Sequence, residues 1–484
     1  MSEAQHQTVA HRHWILIACM LAMFMAAIEV TIVATAMPTI IAQLGGFSQF
    51  GWVFSIYLLT QAVSVPIYGR LADLWGRKRM FLIGASLFLL GSVLCGMAHS
   101  MTWLILFRAF QGLGAGAIMP ITSTIVADIY SPRERAGIQG WLSSVWGVAA
   151  IIGPLTGAWI VQHFSWSLVF WVNVPLGIIS MLMLARWLPA HQQPSEQSLN
   201  VSGSAWLMLS VSALLVALLQ AEALGYWLLL FLAVALIAGF ILLRHEKKAE
   251  APLFPLAIWR SRVIVAGNAG NLIIGAAMMG ISAFLPTWIQ GINGGSPLQA
   301  GSALAMMSIG WPLASTFSGR LMLHTSYRFT AQLGALLLIA GTALLLTLHA
   351  GSSLMQAGFA AFVIGTGMGM TSTTFLVSVQ NSADFAIRGI CTASIMFSRM
   401  LGSALGTAIM GAVLNYNLLL RLPDAQDPVQ QIMSPERRQA LDGGTLHQMT
   451  LHIAASLHWV FIVSLVIAVG SLFIAWTMPR RRPE

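Results

Sequence analysis

What most constrains this chain is a recurring run of about 20 apolar residues, nearly free of charge and separated from the next run by a short polar stretch. The first such run extends from Trp14 to Pro38 and holds one charged side chain, Glu29. Hydrocarbon suits segments of this kind, because a helix satisfies all of its backbone N–H and C=O groups internally. Composition agrees: 57% of the 484 residues are hydrophobic and 8% are charged, against about 25% charged in soluble domains. The mean hydropathy is +0.79. A water-soluble fold is excluded, and the expectation is an all-α polytopic membrane protein.

Apolar helices are predicted at about 14–38, 51–69, 80–98, 102–125, 140–161 and 167–188, then at about 203–221 and 226–243. Six more follow at about 264–289, 298–319, 330–349, 354–377, 390–416 and 456–477, giving fourteen spans. Gly69-Arg70-Leu71 after the second span is echoed by Gly319-Arg320-Leu321 in the last set of six. This layout predicts a six-helix bundle over 1–190, a linker with two added helices over 191–262, and a second six-helix bundle over 263–484 with a polar extracytoplasmic loop at 417–455. Parallel six-helix halves around a midplane cavity are a transporter architecture.

The net charge of +9 is read as topology rather than as affinity for nucleic acid. Arg70, Arg77, Lys78, Arg79, Arg133, Arg135, Arg244, Lys247, Lys248, Arg260, Arg262 and the tail Arg480, Arg481 and Arg482 fall on one side of the spans, which predicts that both termini are cytoplasmic. Arg421, Arg437 and Arg438 fall on the other side, all in the long loop. Cys19, Cys95 and Cys391 lie within predicted spans as small apolar residues, so neither a disulfide framework nor a metal site is expected. The first run is too long for a signal-peptide core and lacks a small-residue cleavage site.

Charged residues inside spans are the strongest functional pointers. Glu29 is the one carboxylate predicted deep in a span. Burial penalises its charged form, so a change in hydration or in a cationic neighbour loads or releases a proton. Arg108 lies within the fourth span, before Gln111, Gly112, Gly114 and Gly116. At about 1.5 Å per residue the two sit roughly 13 Å and 9 Å from the outer ends of their spans and can share a layer. Arg399 lies within the thirteenth span with no acid nearby, which favours a structural or gating role over substrate contact. Tyr57 and Gln61 carry polar groups expected to face the interior, and Phe24, Met25, Trp146 and Trp311 are candidate cavity residues for adaptable apolar and cation–π recognition. Between spans two and three, Gly69, Asp73, Gly76 and Arg77 form a tight turn with an ion pair suited to breaking when helices rock. In the fifth span, Gly153, Pro154 and Gly157 combine a bend with small packing residues.

These residues together resemble the major facilitator superfamily. Gly69 to Arg79 resembles its cytoplasmic loop signature. Arg108 before Gln111-Gly112 resembles a span-four motif that the family links to proton transfer, and Gly153-Pro154 with Gly157 resembles its antiporter motif, which implies export. The antiporter match is imperfect, with Ala149 and Ala158 where the family has glycine. Glu29 in Ile28 to Pro38 resembles the span-one motif of the fourteen-span drug:proton antiporter branch, which more often carries aspartate there. Arg399 before a glycine-rich stretch, Trp166 with Val172-Asn173-Val174-Pro175-Leu176-Gly177, and Ser296-Pro297-Leu298-Gln299-Ala300-Gly301 are similar to that branch as well. Ser167 and Leu323 depart from the pattern.

The resemblance implies a proton-coupled antiporter in the cytoplasmic (inner) membrane, exporting amphiphilic, chiefly cationic, toxic compounds by alternating access. Its expected partners are such small substrates, protons and membrane lipids, with no nucleic acid, no cofactor and no metal; an accessory efflux protein is left open. No phosphate-binding Gly-x-x-x-x-Gly-Lys loop and no His-Glu-x-x-His motif occurs, so the expectation is a secondary transporter and not an enzyme. The alternatives are an exporter of one metabolite, peptide or lipid on the same fold, and a non-transporting sensor or scaffold.

Overall fold

The computed structural model describes residues 3–44, 50–189, 200–220, 224–249, 252, 256–423, 428–433, 438–439 and 441–480. Arg437, Arg481, Arg482 and most of the 189–202 linker lie outside the described residues. The first set of helices is α1 (Glu3–Leu44), α2 (Phe50–Trp75), α3 (Arg77–Gly96), α4 (Met101–Ile129), α5 (Pro132–His163), α6 (Ser167–Trp171) and α7 (Asn173–Trp187). Then come α8 (Val201–Leu219) and α9 (Trp227–Lys248). The last set is α10 (Arg262–Thr287), α11 (Pro297–His324), α12 (Tyr327–Leu346), α13 (Leu354–Ser382), α14 (Arg388–Arg421), the short α15 (Pro428–Met433) and α16 (Gly443–Thr477).

The all-α expectation is met, and the chain is a multi-pass membrane protein. Among the described residues, twelve helices are long and apolar enough to cross a bilayer, fewer than the fourteen expected. Two predicted spans account for the difference. α8 (Val201–Leu219) is apolar throughout but, at 19 residues, lies near the lower length limit for a span. α11 is long enough at 28 residues, but hydroxyl and charged side chains such as Ser302, Ser308, Ser315, Thr316, Ser318 and Arg320 interrupt its apolar character. Packed between α5 and α13, α11 uses one of these hydroxyls across both contacts: Ser315 meets Ser143 of α5 and Thr373 of α13.

Local chemistry sets the helix ends. Ser131-Pro132-Arg133-Glu134 and Ser296-Pro297-Leu298-Gln299 both form capping boxes with proline in the first turn, starting α5 and α11. Gly76 at φ 89° makes the turn between α2 and α3.

One set of helices packs around α1 and α4, the other around α10, α13 and α14. The two sets meet along two seams, α2 against α14 and α5 against α11. Helices α8 and α9 pair with each other, and α8 lies along α2 and α14. Leu207, Val211 and Leu215 of α8 share an apolar cluster there with Leu59, Ala62, Val63 and Ala404.

Candidate functional site

Two polar networks hold most of the charged sequence candidates. The deeper one is built on α1 and α4. Close packing positions it: Gly153 of α5 seats against Thr31 of α1, where a Cβ would collide with the threonine side chain, and Gly157 packs tightly on Ile32. Thr31 ties the same helices together by donating to the Ala149 carbonyl at 3.2 Å. Gly112 and Gly116 of α4 lie against Tyr57 and Ser64 of α2 in the same way.

Within this packing Glu29 and Arg108 form an ion pair, both essentially without solvent exposure. Arg108 Nη1 also donates to Gln111 Oε1 at 2.7 Å, and its Nε donates to the Val53 carbonyl at 3.2 Å. Its guanidinium lies 4.0 Å from the centre of the Tyr57 ring and 5.9 Å from that of Phe170. Gln111 Nε2 donates to Ser92 at 2.7 Å. The other carboxylate oxygen of Glu29 accepts from Asn173 Nδ2. Arg108 therefore keeps neutral partners that can hold its charge while Glu29 is neutralised, which is the arrangement a replaceable carboxylate needs.

The second network lies at the face that bears the 69–79 loop and joins the two sets of helices. Arg77 pairs with Asp73 at 2.8 Å and Asp128 at 3.1 Å. It also donates to the Phe385 carbonyl at 2.7 Å and covers the Phe385 ring at 4.4 Å. Asp128 pairs in turn with Arg388 at 2.6 Å. Asp73 accepts from the backbone N–H groups of Gly389 and Ile390 at 2.9 and 2.8 Å. These are the unsatisfied donors of the first turn of α14, where a carboxylate is favoured. Gly69 lies against Ala393 and Gly389, so the backbones of α2 and α14 meet directly.

The remaining sequence candidates are distributed as follows. Tyr57 is buried beneath Arg108, and Gln61 is half-buried one turn further along α2. Met25 is fully buried and packs against Gly177 of α7, and Phe24 packs at the edge of the same core. Trp146 is 39% exposed, and Trp311 packs at the edge of the core formed by the last set of helices. Arg399 is half-buried, and among the described residues its guanidinium has no ion-pair or hydrogen-bond partner. Sequence reasoning overlooked the site roles of Asn173, Ser92, Asp128 and Arg388. Asn173 stood inside a quoted motif, and Asp128 was visible as an acid at the end of a span; Arg388 lies 260 residues from Asp128, a pairing with no local signal.

The Major Facilitator Superfamily matches residues 19–407 of the chain. The multidrug transporter protein MdtP of Bacillus subtilis is 33% identical, covering 95% of this chain and 92% of that protein. Multidrug resistance protein 3 of the same organism is 30% identical, covering 94% and 93% respectively. Among solved structures, the proton:xylose symporter XylE bound to 6-bromo-6-deoxy-D-glucose aligns with a TM-score of 0.65 at 14% identity, covering 98% of this chain and 97% of that one. The human organic anion transporter MFSD10 aligns with a TM-score of 0.63 at 13% identity, covering 94% and 99%. These two likenesses establish a shared fold.

Proposed function

Since the chain belongs to the major facilitator superfamily, we propose that it is a proton-coupled antiporter exporting amphiphilic, chiefly cationic, compounds by alternating access. The observation that carries this reading is the buried Glu29–Arg108 pair, whose arginine retains Gln111, the Val53 carbonyl and the Tyr57 ring as other partners. The similarity over most of the chain to a multidrug transporter protein and a multidrug resistance protein supports an efflux role. The proposed chain crosses the cytoplasmic membrane fourteen times with both ends inside. Its moving parts are the six-helix bundles over 1–190 and 263–484, and the inserted pair lies within 191–262.

In this reading the Asp73–Arg77–Asp128–Arg388 network is a cytoplasmic latch, and the structure is the state closed to the cytoplasm. A proton arriving from outside neutralises Glu29, and Arg108 is then held by its neutral partners. Rocking the bundles breaks the latch and opens the site inward. A cationic substrate there takes the place of the proton on Glu29, and the complex returns outward. Exchange of one proton for one monovalent cation moves no net charge, so the pH gradient drives it, at about 1.4 kcal/mol or tenfold in concentration per pH unit. Tyr57, Gln61, Phe24, Trp146 and Trp311 supply adaptable apolar and aromatic surface, with Met25 supporting it from the core. Gly153, Pro154 and Gly157 seat α5 on α1.

The test is dye efflux from vesicles under an imposed pH gradient, comparing the native chain with Glu29→Gln. The expected result is gradient-driven efflux by the native chain alone. Retention of that coupling by Glu29→Gln overturns the proposal.

A further inference from the structure

Asn173 occupies the first position of α7, immediately after the joint at Val172 where α6 ends. Its side chain is fully buried; Nδ2 donates to Glu29, while Oδ1 has no hydrogen-bond partner. An idle buried acceptor is unfavourable, which raises the question of the state in which it is used. An asparagine amide carries donors on one side and an acceptor on the other, exchanged by a half-turn about its last side-chain bond.

Glu29 changes its demand in a matching way. As a carboxylate it only accepts, and the amide meets it with Nδ2. Protonated on that same oxygen, it gains an O–H donor, which faces the Asn173 N–H group donor to donor. We propose that Asn173 is a positioning residue for the proton site: when Glu29 takes up a proton, the amide turns and Oδ1 accepts the new O–H. The asparagine thus serves both protonation states of Glu29. The proposal rests on the proton-coupled reading above.

The other charged or titratable groups facing Glu29 are Arg108 from α4, Tyr57 from α2 and Cys95 from α3. Among the described residues, α5, α6 and α7 bring no further one to it. Arg108 can only donate, so it keeps its bond to the carbonyl oxygen of a protonated Glu29 and does not compete for the O–H. Because α7 packs on α1 and α3, the change is registered in a helix seated beside the proton site.

Infrared difference spectra of the reconstituted chain during acidification test this. The carboxylic C=O band that appears in the native chain and is missing in Glu29→Gln reports the proton on Glu29. In Asn173→Leu that band is expected to move to higher wavenumber, because the O–H has lost its acceptor. In Asn173→Ser, whose hydroxyl can donate or accept, it is expected to stay close to the native position. The native chain should also show a change in a side-chain amide band in step with protonation, absent in Glu29→Gln. An unshifted Glu29 band in Asn173→Leu overturns the Asn173 proposal and leaves the proton site standing. Absence of any Glu29-dependent band overturns both. Should Asn173→Leu fail to fold, the native amide band decides: if it is unchanged as Glu29 protonates, the proposal is wrong.

Discussion

The two sets of helices meet at the loop face through two corners built on one plan with different chemistry. At one corner Arg77, at the start of α3, reaches Asp128 at the end of α4, and Arg388 at the start of α14 crosses over to the same aspartate. At the other, Tyr327 at the start of α12 accepts from Asn381 near the end of α13 at 2.8 Å, and Arg135 at the start of α5 crosses over to Asn381. The first corner is a network of ion pairs; in the second, among the described residues, a tyrosine and an asparagine meet one arginine with no carboxylate in hydrogen-bond contact. Arg135 is held instead by the Tyr130 carbonyl at 2.9 Å. Burial, and then the nearby Arg388, push its guanidinium down to about 10. Position 323 follows the same pattern, with leucine where the first loop copy has Asp73. Arg328, lacking a carboxylate, donates within its own half to the Met478 carbonyl at 2.7 Å. The difference teaches that a similar closed geometry can be made with or without charge, and that the charged corner has more to lose when the helices separate.

The comparison breaks most sharply at Asp128. Asp128→Ala leaves two largely buried arginines, Arg77 and Arg388, without their shared acid. The expected cost is about 3–5 kcal/mol against the closed face. Spin labels at the loop ends of α3 and α13 should report a longer distance, and an unchanged distance would remove the charged corner's special standing. Asp73→Asn comes next. It weakens one ion pair and the charge-assisted bonds from Gly389 and Ile390, at about 1–3 kcal/mol in the same measurement.

At the neutral corner, Tyr327→Phe removes the hydroxyl that accepts from Asn381 and is expected to cost about 0.5–1.5 kcal/mol. An effect as large as that of Asp128→Ala would show that the corners are equivalent after all. The smallest change is expected from Glu134→Gln near this corner. The Ser131 backbone N–H, and then its side chain, hold the Glu134 carboxyl below the usual range, although the residue is partly exposed. Such a group contributes stability that is complete above the ordinary carboxylate value and is lost as pH falls through its own lower value. Thermal unfolding of Glu134→Gln should therefore show a slightly flatter acid limb than the native chain.

Several parts of this arrangement were legible in the residues. Glu29 and Arg108 were marked by the cost of charge in an apolar run, and counting helical rise put them near one layer. The loop at 69–79 was marked by glycines around an aspartate. The span count turned on two helices: α11 is long but interrupted by hydroxyls, and the 19 residues of α8 lie near the lower limit for a span. Asn173 read as part of a helix-entry motif, since nothing in its neighbours says that its amide meets a carboxylate 144 residues away.

By itself the sequence determined that the chain lies in a membrane as a bundle of helices, because hydrophobic period and backbone satisfaction act over one or two turns. It also determined where charge is too costly to be incidental. Which charges meet was decided only by tertiary structure: Arg77 reaches Asp128 across 51 residues and Arg388 reaches it across 260. Pairing depends on helix rotation and tilt, which close packing at glycines such as Gly69, Gly112 and Gly153 sets. Local sequence carries no term for that geometry.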